Sequence, residues 1–247
     1  MKSFLTAWRF LTVIPLPGEA ATDAERLASS LVYYPLVGLM IGAILLLGSF
    51  LFALFFPRPL VNLLVLLLLA IVSGAIHLDG FADTIDGFAG ATQKEKILQI
   101  MRDGSIGPVA VVALFFLLFG KWMVLDELKG TEQNMALLSM PAVGRWAMVL
   151  ASYLAPYARQ EGLGKEIIGR VSHRAVAIAS LCLVLLLGAA FRWRGPALIC
   201  LVALGVLALV RMCSRRIEGM TGDTVGAVGE LSELLFLLLI TAVPRGV

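Results

Sequence analysis

The chain has 247 residues, 60% hydrophobic and 15% charged, with a mean hydropathy of +0.93 and a formal net charge of +3 at pH 7. A soluble domain is nearer half apolar and a quarter charged, so this composition excludes a water-soluble globule. So small a net charge also excludes a cationic nucleic-acid-binding domain.

The N-terminal segment, 1–30, brings Phe4, Trp8 and Leu11 together at helical spacing, with Lys2 and Arg9 beside them. Arg9 interrupts the apolar stretch, and Pro15 and Pro17 follow, so a signal peptide is a poor description. An amphipathic helix lying at the membrane interface fits better.

Next come two long runs, 31–56 and 60–78, without Asp, Glu, Lys or Arg. Each is long enough to cross about 30 Å of hydrocarbon as a helix. Backbone amides left unpaired in lipid are too costly for irregular spans, and barrel strands would alternate in polarity. The chain is therefore all-α, a polytopic integral membrane bundle. Seven spans are predicted, at 31–56, 60–78, 108–126, 135–156, 175–191, 196–212 and 225–243. The third ends in Lys121 and Asp126. The fifth and sixth are short, with Arg192 and Arg194 between them, and could form a hairpin that stops short of crossing. Cys182, Cys200 and Cys213 lie far apart in or beside these runs and read as small apolar residues. With no repeat, linker or appendage, 1–247 is one membrane domain.

Seven spans sort the connections onto two sides. One side collects Lys2, Arg9, Arg26, Lys94, Lys96, Arg102, Arg159, Lys165, Arg170, Arg174, Arg211, Arg215 and Arg216, 13 positive residues in all. The other collects six: Arg58, Lys121, Lys129, Arg192, Arg194 and Arg245. The positive-inside rule puts the first side in the cytoplasm, and segments 79–107, 157–174 and 211–224 with it.

The second span leads into HLDGFADTIDG at 77–87. At about 100° per residue, Asp79, Asp83 and Asp86 share one helical face within about 60°. One aspartate could simply cap a helix. Three so close repel one another, and a hard divalent cation resolves that repulsion. Mg²⁺ favours a few carboxylates together with water and phosphate oxygens. His77, at the span end, is a candidate proton acceptor. In MRDGSIG at 101–107, Arg102 has a fork suited to phosphate, Asp103 could complete a metal site, and the glycines free backbone amides for anions.

Arg145 has apolar neighbours on both sides. An arginine inside a span implies an acidic partner or a substrate phosphate, and Glu230 is one such partner. The last span opens on Thr221 and Asp223, either of which could cap it. Asp223 shares a broad face with Glu230 and Glu233, acids deep enough to face the bundle interior.

Four motifs in order, HLDGFADTIDG, MRDGSIG, YARQEGLG (157–164) and TGDTVGA…E (221–230), together with the FLT…PLP start (4–17), resemble the cobalamin synthase family. The resemblance covers nearly the whole chain. It implies an adenosylcobinamide-GDP ribazoletransferase of the cell inner membrane, acting late in cobalamin (vitamin B12) biosynthesis. The ribose 3′-hydroxyl of α-ribazole, or of its 5′-phosphate, would attack the cobinamide phosphoryl group. GMP would leave, with Mg²⁺ required. On this reading Asp79, Asp83 and Asp86 hold one or two Mg²⁺, with Asp103 or Asp223 as further ligands. Arg102, Arg145 and Arg159 contact phosphates, and an aspartate or His77 accepts the hydroxyl proton.

DTIDG (83–87) is also similar to the start of the CDP-alcohol phosphotransferase motif of membrane lipid synthases. Here Phe88, Ala89, Gly90 and Ala91 follow it without that motif's arginine, and its second acidic block is missing. A transporter for divalent cations is the competing class. It would place acids near mid-bilayer in several spans, whereas most acids here gather at one membrane face beside basic residues.

Overall fold

The computed structural model describes residues 2–18 and 24–243, without the side chains of residues 24–26 and 163. Arg245 and the Arg26 side chain, both counted above, lie outside that description. The described residues form eleven α-helices joined by turns and two short 3-10 segments.

Helix α1 (Lys2–Leu11) is amphipathic as predicted. Its apolar stripe nonetheless packs on protein: Leu5, Trp8 and Leu11 are buried against α2 (Ala24–Ser30) and α3 (Tyr34–Phe52), and the Trp8 indole donates to the Ile14 carbonyl at 2.8 Å.

Beside one bent helix pair at 58–90, six helical stretches of the described residues are long and apolar enough to cross a membrane. They are Leu27–Phe52, which includes α3, then α7 (Pro108–Glu127), α8 (Gly130–Leu154), α9 (His173–Phe191), α10 (Arg194–Ile217) and α11 (Gly222–Ala242). At 19 and 24 residues, α9 and α10 are each long enough to cross, so the truncated hairpin is not needed. Cys182, Cys200 and Cys213 are free thiols.

The predicted span 60–78 is bent rather than straight. Helix α4 (Arg58–Val72) stops at a turn, and α5 (Ile76–Gly90) departs from it at 89°. The stop is local. Gly74 and Ala75 take φ of 62° and 54°, and a left-handed pair ends a helix even inside an apolar run. The acidic motif consequently sits on its own helix, beyond the bend.

Helix α8 is the most buried span, packed on α3 and α11. Gly38 and Gly42 of α3 bring its backbone against Leu138 and Pro141 of α8, and a Cβ at either glycine would collide with backbone atoms. Such small-residue pairs, four apart, let membrane helices approach closely where hydrophobicity supplies no driving force between them.

Segments 79–107, 157–174 and 211–224 meet at one end of the bundle, as alternating spans require. Lys94 pairs with Glu218 at 2.7 Å, and Ala158 N–H donates to the Met220 carbonyl at 2.9 Å. Arg216 donates to the Phe88 and Ala91 carbonyls at 2.8 and 2.7 Å, holding the C-terminal end of α5. At the opposite end Arg58 pairs with Asp126 at 3.3 Å, and Arg194 with Glu132 at 2.7 Å.

Candidate active site

Helix α5 is fixed by small residues and one apolar face. Gly80 lies against the Asp223 backbone, where a Cβ would come within 2.9 Å of the Asp223 Cα. Phe81 is buried with Leu117 of α7 and Ala227 of α11. Thr84 satisfies its hydroxyl on the Gly80 carbonyl at 2.7 Å. Asp79 is left exposed and Asp83 half-buried, at the N-terminal end of α11.

Thr221 is the cap of α11, in a reciprocal pair with Thr224. That frees Asp223 from capping, and its Oδ2 accepts from Arg159 Nη2 at 2.8 Å. Arg159 Nε is buried with no hydrogen-bond partner among the described residues, and the side chain as a whole keeps 14% exposure. Asp79, Asp83, Asp223 and Arg159 thus form one cluster. Within it the Asp83 carboxyl is pushed up to about 6, first by burial and then by the charges of Asp79 and Asp223, with Arg159 opposing.

Asp86 faces elsewhere. Its carboxylate accepts from the backbone amides of Gly107 at 2.6 Å and Ala110 at 3.2 Å, capping the start of α7. The three-aspartate chelate expected from helical spacing therefore does not assemble. Among the described residues no group of three His, Cys, Asp or Glu side chains is placed to hold a metal ion by itself. A Mg²⁺ site of a different kind still fits. Asp79, Asp83 and Asp223 are hard oxygen donors whose mutual repulsion shows in Asp83, and Mg²⁺ needs one or two carboxylates when phosphates and water complete its shell.

Arg102 and Asp103 stand exposed in the turn before α7, with Asp103 accepting from the Ser105 hydroxyl at 3.2 Å. Arg145 is buried, and its partner is Glu233 rather than Glu230. Lys121 Nζ lies 2.6 Å from both Glu230 and Glu233. Lys121, counted above with the loops, is thereby placed in the core at 1% exposure, since α7 continues to Glu127 and two acids of α11 receive it. Arg194, counted the same way, is also buried, on Glu132 and the Ile240 carbonyl. His77 is buried, with its Nε2 lacking a hydrogen-bond partner among the described residues.

Sequence reasoning missed Lys121 and Arg216. A lysine inside a predicted span was the available signal for the first. For the second it was the row of Arg211, Arg215 and Arg216 closing α10.

A family described as cobalamin-5-phosphate synthase matches residues 3–241. The chain is 35% identical to an adenosylcobinamide-GDP ribazoletransferase of Geotalea daltonii, with 98% of each chain covered. It is 37% identical to the protein of the same name from Citrobacter koseri, over 96% of this chain and 98% of that one. The Shigella flexneri protein of that name is 36% identical at the same coverage. No solved structure matches.

Proposed function

The chain belongs to the cobalamin-5-phosphate synthase family, and on that premise we propose that it joins adenosylcobinamide-GDP to α-ribazole, or to its 5′-phosphate, releasing GMP. The ribose 3′-hydroxyl oxygen attacks the phosphorus that bears cobinamide. The bond from that phosphorus to the GMP oxygen breaks, and adenosylcobalamin or its 5′-phosphate results. The observation that carries this reading is the Asp79, Asp83, Asp223 and Arg159 cluster, at the bundle end where segments 79–107, 157–174 and 211–224 meet, in a chain matched over nearly its whole length. By the positive-inside rule that end faces the cytoplasm of the cell inner membrane.

Phosphoryl transfer asks for positioning and charge neutralisation more than for covalent chemistry. Asp79 and Asp223 would hold Mg²⁺, which supplies neutralisation of the diphosphate charge. Asp83, with a proton affinity near neutrality, accepts the hydroxyl proton. Arg159, anchored through Asp223, turns the part of its guanidinium that lines the cavity to a phosphate oxygen. Asp86 ties α5 to the start of α7, and Arg216 of α10 holds its C-terminal end.

Purified protein given adenosylcobinamide-GDP, α-ribazole and Mg²⁺ tests this directly. Equimolar GMP and cobalamin are expected, and neither should form in excess EDTA. Failure to form cobalamin in a folded, Mg²⁺-supplied preparation overturns the reading.

A further inference from the structure

Between α1, α3, α5, α8 and the start of α11 lies a cavity of ≈ 290 Å³, closed on one side by the 157–168 loop. Its charged lining is the cluster already described: Asp79, Asp223 and Arg159. The remaining wall is largely apolar. Phe10 and Tyr34 contribute stacked rings, 6.2 Å between centroids and 22° apart, and Ile76, Met148, Ile168 and Val225 complete it. His77, 5% exposed, also lines it.

We propose that this cavity is the subsite for the nucleoside nucleophile, holding its flat bicyclic base against the apolar wall and its ribose hydroxyls toward Asp79, Asp223 and Arg159. The proposal rests on the transferase reading above and adds where one of the two substrates sits. Size favours this substrate. The cavity is at the small end of small-molecule sites, about 300–1,000 Å³, and a corrin ring with its amide arms is far too large for it. Polarity favours it too. A dimethylated benzimidazole is apolar at one end and joined to hydroxyls at the other, the same division as the wall and the cluster. Guanine, with donors and acceptors along both edges, would leave polar groups unpaired there. The one unsubstituted ring nitrogen of the base suits a hydrogen bond from the His77 imidazole. The corrinoid nucleotide is left to approach the cluster from the open side, its diphosphate meeting the hydroxyl at the carboxylates.

Calorimetric titration of the full-length protein in lipid nanodiscs, without corrinoid, tests the assignment. α-Ribazole should bind one to one. The riboside lacking both base methyl groups should bind roughly tenfold weaker, from the loss of two buried methyls. Ile168→Phe and Val225→Phe fill the cavity from two different elements. Each should weaken α-ribazole binding at least tenfold while leaving adenosylcobinamide-GDP binding within twofold. Unchanged α-ribazole binding in a folded variant, or an equal loss for both substrates, overturns the subsite. Should both variants fail to assemble, competition in the unaltered protein decides. Free 5,6-dimethylbenzimidazole should displace α-ribazole and not adenosylcobinamide-GDP, and the reverse pattern rejects the proposal. A protein that turns over yet shows either contrary result loses the subsite alone. One that releases no GMP with both substrates and Mg²⁺ loses the transferase reading.

Discussion

Arg145 of α8 and Glu233 of α11 form an ion pair inside the bundle, with both side chains at 2% exposure or less. Lys121 of α7 closes on the same glutamate and on Glu230, so two cations and two carboxylates join three spans. Removing one member of a buried pair strands a charge, at a cost of about 3–5 kcal/mol. Arg145→Ala should therefore lower thermal stability in detergent sharply, and Arg145→Met combined with Glu233→Gln should recover part of the loss by leaving Lys121 with Glu230. Melting of the two variants by circular dichroism checks this. An Arg145→Ala protein of normal stability but without transferase activity would instead return Arg145 to the substrate phosphates.

Asp86 separates a positioning role from a chemical one. Its acceptors cap α7, so Asp86→Ala should destabilise the protein by about 0.5–2 kcal/mol. Asp86→Asn, which keeps an acceptor, should retain at least a tenth of the activity at saturating Mg²⁺. Complete loss in the asparagine variant, with stability unchanged, would make Asp86 a metal ligand after all.

Asp83 sets a pH dependence. With its carboxyl at about 6 and serving as proton acceptor, kcat/KM should fall about tenfold per pH unit below 6 and level off above it. Stability runs the other way. The folded chain holds this proton more tightly than the ordinary value of 3.8, so the group favours folding below about 4, and that contribution is lost as pH rises through 6. Asp83→Asn should thus melt no lower than the unaltered protein at pH 7.5. An activity profile flat from pH 5 to 8 would remove Asp83 from the proton transfer.

Topology is testable with single cysteines in a background lacking Cys182, Cys200 and Cys213. Gln93, Gln160 and Arg215 are exposed at the site end and Lys129 at the other. Cysteines at the first three should resist an impermeant thiol reagent outside intact cells, and one at Lys129 should react. External labelling at Gln93, Gln160 or Arg215 breaks the one-face arrangement.

The span-forming stretches were legible because lipid demands long apolar helices, and nothing else in this chain supplies them. The turn at Ser73–Ala75 was not, since the apolar run continues through it and only the left-handed backbone of Gly74 and Ala75 marks the break. Helical spacing put Asp79, Asp83 and Asp86 on one face, but which neighbour each meets depends on how α7 and α11 pack. That packing turns Asp86 to the Gly107 amide and brings Asp223 to Arg159. Lys121 and the Glu233 partner of Arg145 escaped for the same reason: their contacts join residues about 90 to 110 positions apart, beyond the reach of local periodicity.

Turnover of Asp83→Asn and Asp223→Asn decides whether the carboxylates at the junction of α5 and α11 carry the transfer. Both would be compared with the unaltered protein in nanodiscs, with saturating substrates and Mg²⁺, following GMP and cobalamin together. The unaltered protein should form the two products in equal amounts, and each variant should lose about a thousandfold or more in rate while keeping its helical content and melting temperature. Near-normal cobalamin formation by both folded variants would remove these carboxylates from the transfer.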